Sequence, residues 1–204
     1  MTPISRRSAL TFGSLALLSA CGSLTKATEQ LDVYTLSPLQ GSGSSPSSIR
    51  HLVVELPTSS GELATDRILI KPNPLQAEYL PKGRWADATP VLLQSLLVAS
   101  LQNNGAFRLV GRDGAGLTPD YVLLVEVNDF QAEAPAAGQT PTPVHVGLTM
   151  TMVREGDGSL IATRRFDQTA LATSGDTLAV VAAFDDATRK VLSDAATWIL
   201  KLAR

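Results

Sequence analysis

Few residues in this 204-residue chain could do covalent chemistry, and the single cysteine, Cys21, is the foremost. A thiol can be acylated, oxidised or bound to a metal. Without a second cysteine no intramolecular disulfide can form, and a lone free thiol outside the cytoplasm is a liability. Nucleophilic catalysis needs an acid–base partner, and none is legible. The serines between 42 and 48 lie in a Ser/Gly/Pro-rich stretch, and no Gly-x-Ser-x-Gly elbow occurs. His51 and His145 fit neither His-x-x-x-His nor Cys/His metal spacing. Asp185 and Asp186 read as helix surface, Glu155 and Asp157 as turn residues, and no carboxylate pair stands out. The glycine-rich piece at 111–116 has the spacing of neither phosphate-binding motif. The expectation is a non-enzyme with no catalytic residue, no metal and no cofactor.

The residues before Cys21 say what its thiol is for. Arg6 and Arg7 precede an apolar run from Ala9 to Ala20, and Ser19-Ala20 supply small residues next to the thiol. That is the layout of a secretory signal. The run is too short to span a bilayer, which takes about 20 apolar residues. Leu18-Ser19-Ala20-Cys21 resembles the lipobox of bacterial lipoproteins. The resemblance implies that residues 1–20 are removed, that the Cys21 sulfur is acylated, and that the new amino terminus is acylated too. Ser5-Arg6-Arg7-Ser8-Ala9-Leu10 resembles the twin-arginine export motif, although two arginines also satisfy an ordinary signal, so both export routes stay open. Gly22 is not the aspartate that retains enteric lipoproteins in the inner membrane. The expected location is the outer membrane, lipid-anchored and facing the periplasm, since several acyl chains together anchor stably.

Hydrophobic residues make up 44% of the chain and charged residues 18%, the composition of a globular protein. Without Arg6 and Arg7 the formal charge falls from −2 to −4, and no basic cluster suggests nucleic acid. Residues 21–30 read as an acylated tether, and 31–204 as a single α+β domain. Alternating apolar positions predict strands near 31–36, 49–56, 66–71, 107–110 and 121–127, then a hairpin of 144–152 with 159–167. Residues 37–48 and 131–143 read as exposed loops, and 72–87, with three prolines and Gly83, as irregular chain. Two helices are predicted. One follows Thr89 as cap and Pro90 in the first turn, with a leucine stripe, and ends at Gly105; the other runs from about Asp176 to Leu202. The fold class is α+β, a largely antiparallel, mixed sheet with both helices on one face. His145 falls on a polar strand face, as a solvated imidazole. Tyr79 and Trp85, in the turn-rich segment, have two readings: aromatic residues folded back onto the core, or surface anchors for a partner.

Several motifs in order resemble the ABC-type transport auxiliary lipoproteins. They are Tyr34-Thr35-Leu36 after the lipobox, Asp66-Arg67-Ile68-Leu69-Ile70, Tyr79, and Arg84-Trp85-Ala86-Asp87 before a leucine-rich helix. Phe107-Arg108-Leu109-Val110, Asp120-Tyr121-Val122-Leu123 and Asp129-Phe130, and the Asp157-Gly158 hairpin continue the series. The resemblance covers roughly Leu31 to Leu202. It implies an outer-membrane lipoprotein serving an MCE-type ABC system, such as the paraquat-inducible one, that moves lipid between membranes. The implied partners are the periplasmic MCE protein and ABC transporter components, with a homo-oligomer as a further option. Tyr79, Trp85 and the 131–143 loop are the candidate contacts, and Cys21 the lipid attachment site. Two other readings stay open: a carrier binding lipid in a cleft between helices and sheet, and an outer-membrane assembly lipoprotein.

Overall fold

The computed structural model describes residues 30–41, 49–105, 107–113, 118–133 and 141–203, in the unit that begins at Leu31. The signal segment, Cys21, most of the tether, residues 42–48 and the centre of the 131–143 loop lie outside the described residues.

Three long strands carry the sheet: β7 (Tyr121–Glu133), β8 (Thr142–Arg154) and β9 (Ser159–Ala172). In β8, Val144, Val146, Leu148, Met150 and Met152 are all buried, while His145, Thr149 and Thr151 alternate with them on the opposite face. That period of two fixes which face meets the core, because a one-residue slip would turn every apolar side chain outward. The register follows, with Val125 opposite Met150, Met150 opposite Arg164 and Leu148 opposite Phe166. The β8–β9 turn is closed by Asp157, whose carboxylate accepts the Ser159 N–H at 3.0 Å, and by Gly158 at φ 66°.

On its other edge β7 takes three strands in parallel: β2 (His51–Val54), β3 (Thr58–Ser59) and β4 (Arg67–Asn73). β6 (Leu109–Arg112) adds parallel to β2, β5 (Gln76–Trp85) antiparallel to β4, and β1 (Asp32–Tyr34) parallel to β5. The sheet is therefore mixed, with its longest pairings antiparallel, and the α+β class holds.

Helices α1 (Thr89–Asn103) and α2 (Thr177–Leu202) join the sheet in one core. α1 buries Leu93, Leu97 and Leu101; α2 buries Phe184, Ala187, Val191 and Ile199. Thr89 is not the cap of α1. Ala88 holds that position, and the Thr89 hydroxyl donates instead to the Thr65 carbonyl at 3.2 Å, tying the helix start to the β3–β4 connection. Gly105 does follow the helix end with φ 61°, a left-handed conformation that favours glycine. Residues 35–41 bridge the two helices. Ser37 N–H donates to the Asp185 carboxylate of α2 at 2.7 Å, Leu39 N–H to the Ser100 hydroxyl of α1 at 3.0 Å, and Leu36 is buried beneath.

Two further expectations change. Residues 76–85 are not irregular but a ten-residue strand. Pro81 is accommodated where the β4–β5 register shifts, between the Leu69–Tyr79 and Arg67–Arg84 pairs, so its missing N–H disrupts no regular ladder. The flanks of the expected 131–143 loop also belong to strands, β7 reaching Glu133 and β8 starting at Thr142.

Candidate functional site

The structure separates the two aromatic candidates. Trp85 is fully buried and has no face for a partner. Its ring meets Phe184 edge-on at 5.2 Å and Phe130 at 5.6 Å, and Phe130 lies 4.8 Å from Phe184. As a surface anchor Trp85 is a misreading. The strand period at the end of β5 aims it inward, where its large apolar area joins sheet to helix. Tyr79 is 37% exposed. Its hydroxyl donates to the Glu62 carbonyl at 3.2 Å, and the Arg67 guanidinium stands 5.7 Å from its ring centre. Lys71 pairs with the Glu62 carboxylate at 3.2 Å. Tyr79 is thus an amphipathic group held in place, with more than a third of its surface open.

The sheet face away from the helices holds a polar cluster that the sequence did not reveal as a unit. Arg165 on β9 reaches Asp129 on β7 at 2.7 Å and Asp167 on its own strand at 2.8 Å. These charge-assisted bonds, from Asp167 first, raise the Arg165 pKa above its ordinary value. β8 runs between the two aspartates, and there it carries Gly147. A Cβ at Gly147 would sit 2.8 Å from both the Asp129 Oδ2 and the Asp167 Oδ1, so the carboxylates close over a space that only hydrogen can leave free. The sequence signal was a glycine inside a strong strand pattern, which marks a close approach.

His145 lies next to this cluster on the expected polar face, but not as a solvated imidazole, because its Nε2 is buried beside Glu133. Nδ1 is 3.1 Å from the Thr169 hydroxyl; Nε2 is 3.4 Å from a Glu133 oxygen, within ion-pair range but off hydrogen-bond alignment. His51 is tied down through its backbone: its N–H donates to Asp120 at 2.8 Å. That bond first, with help from Arg50, holds the Asp120 carboxyl below its ordinary pKa against a partial desolvation cost. A shallow groove on the outer side of β7, lined by Glu55, Leu56, Leu124, Glu126, Thr149 and Thr151, completes the uncovered face. Taken with the surroundings of Tyr79, carboxylates outnumber cations there: Glu55, Glu62, Glu126, Asp129, Glu133 and Asp167 against Arg67, Lys71 and Arg165. Such a face can meet a basic protein surface by charge complementarity.

Among the described residues no group of three or more His, Cys, Asp or Glu side chains could hold a metal, and no helix is long and apolar enough to cross a membrane. Cys21 lies outside the described residues.

Comparison with known proteins adds a family. A model of the ABC-type transport auxiliary lipoprotein component matches residues 34–196. An uncharacterised protein of Bradyrhizobium diazoefficiens is 29% identical over 150 residues, which are 72% of this chain and 38% of that protein. The chain therefore spans well under half the length of that relative. A crystal structure from Xanthomonas campestris, of a protein under the family model DUF330, superposes with a TM-score of 0.74 at 24% identity, covering 85% of this chain and 95% of the other. An uncharacterised crystal structure gives 0.65 at 19% identity, covering 84% and 99%. Both support the fold.

Proposed function

Because the chain belongs to the family of ABC-type transport auxiliary lipoprotein components, we propose that it is the non-catalytic outer-membrane accessory of an MCE-type ABC system. In this reading it docks or positions the periplasmic component that carries lipid between the two membranes. The family match over residues 34–196 carries the proposal. The lipobox supports its first half: lipid on Cys21 fixes one end, and the nine residues 22–30 let the domain stand at most about 30 Å from the bilayer. The uncovered sheet face supports its second half. It offers Tyr79 and an acidic, threonine-rich surface, which suits protein docking better than chemistry.

The carrier alternative required an apolar cleft between helices and sheet. Trp85, Phe130 and Phe184 occupy that layer and touch one another, so no specific observation favours it.

Membrane fractionation tests the anchor. Cys21→Ser should leave the domain folded and release it to the soluble periplasmic fraction. A variant that stays membrane-bound after signal cleavage would refute the lipoprotein reading.

A further inference from the structure

β9 is a sheet edge. Among the described residues it pairs with β8 alone, and its other side runs unpaired for 14 residues from Ser159 to Ala172. A long open edge is a template for another strand, and folded proteins usually shorten it, break it with proline or a bulge, charge it or cover it. β9 has no proline, bulges only near one end at Ile161, carries charges of opposite sign at Arg165 and Asp167, and leaves Leu160 and Leu171 65% and 61% exposed. The sequence of the edge suggests its partner, because it is nearly a chemical palindrome about Phe166. Moving outward from that residue come Arg165 and Asp167, Arg164 and Gln168, Thr163 and Thr169, Ala162 and Ala170, and finally Ile161 and Leu171.

We propose that β9 pairs antiparallel with β9 of a second copy of this chain, about a two-fold axis at Phe166, joining the two sheets into one. A two-fold interface needs a self-complementary surface, and this register supplies it. Arg165 stands opposite Asp167 of the second copy, and Asp167 opposite its Arg165. On the uncovered face the four groups form an alternating square of charge. Thr163 meets Thr169 of the other copy, a favourable cross-strand pair. A shift by two residues sets Arg165 against Arg165 of the second copy or Asp167 against its Asp167, and like charges directly opposite destabilise a sheet.

The helical side agrees. Phe166 contacts Trp198 of α2 at 5.6 Å, so the same axis passes α2 at the level of Trp198. Arg164, Asp194, Thr197, Trp198 and Lys201 line an open groove of about 290 Å³ between the β9 edge and α2. Two antiparallel copies of α2 then face one another across the axis, Asp194 beside Lys201 of the second copy, and the groove closes. This pairing does not depend on the transport role.

The test uses the full-length lipidated protein in detergent. Native mass spectrometry of the unaltered chain should show a dimer or a multiple of dimers. Thr163→Cys/Thr169→Cys should then give a covalent dimer on mild oxidation, because each new thiol faces its counterpart across the axis. Within one copy the two positions lie about 20 Å apart along the strand, too far to bridge. Thr163→Cys/Leu171→Cys, two residues out of register, should crosslink at least tenfold less. A monomer at every concentration, or crosslinking that does not prefer the in-register pair, overturns the proposal.

Discussion

The Trp85 ring meets Phe184 edge-on, centroids 5.2 Å apart and planes at 86°, and so joins the end of β5 to the first half of α2. Both side chains are fully buried. A residue in that position stabilises the fold and cannot contact a partner. Trp85→Ala should therefore cost about 3–5 kcal/mol in chemical denaturation, the range for truncating a large core aromatic. Tyr79→Ala, on a side chain that stays partly open, should cost well under half of that and should lower partner capture instead. Equal stability losses for the two would contradict the division of roles.

Gly147 sets a second constraint. Its missing side chain lets the Asp129 and Asp167 carboxylates approach from either side and share Arg165. Gly147→Ala should push both part-exposed carboxylate ends aside and loosen their hold on Arg165, destabilising by about 1 kcal/mol, the upper end for exposed ion pairs. Gly156→Ala, in an open turn with nothing near its Cβ, should change stability by less than about 0.5 kcal/mol. Thermal unfolding of the two variants decides it.

What the sequence made legible follows from how strongly each pattern was overdetermined. The β8–β9 hairpin was readable because Val144 to Met152 alternates without a break, whereas the pairing of β7 with β8 across the 131–143 segment was not. The helix end at Gly105 was readable because a left-handed residue was needed there. β5 was hidden by Pro72, Pro74, Pro81 and Gly83, which read as breakers. The irregular β4–β5 register tolerates Pro81, and that is a tertiary fact. Thr89 looked like a cap, yet its hydroxyl is drawn to Thr65, 24 positions away. The Asp129–Arg165–Asp167 cluster could not be read at all, because it depends on the register of three strands.

Acid stability gives a third prediction. The His51 N–H and Arg50 lower the pKa of Asp120 in the folded protein. A lowered folded pKa means a contribution that is complete above the ordinary carboxylate value near 4 and lost as pH falls through the folded value. Asp120→Asn should therefore reduce stability at neutral pH, by about 0.5 kcal/mol once solvent screening of this part-exposed pair is allowed for. The difference from the unaltered protein should shrink as the pH is lowered from 5 towards 2. Denaturation midpoints across that range measure it; a constant difference would contradict the assignment.

The central claim is that the anchored domain presents its uncovered sheet face to a transport machine. In-cell photocrosslinking from a reactive residue placed at Tyr79, followed by mass spectrometry of the captured proteins, tests it most directly. The account predicts recovery of the periplasmic MCE component or a subunit of its ABC transporter, with no such capture from a probe at the buried position of Trp85. Recovery of neither component from Tyr79, in cells where the lipoprotein is folded and membrane-bound, would contradict it.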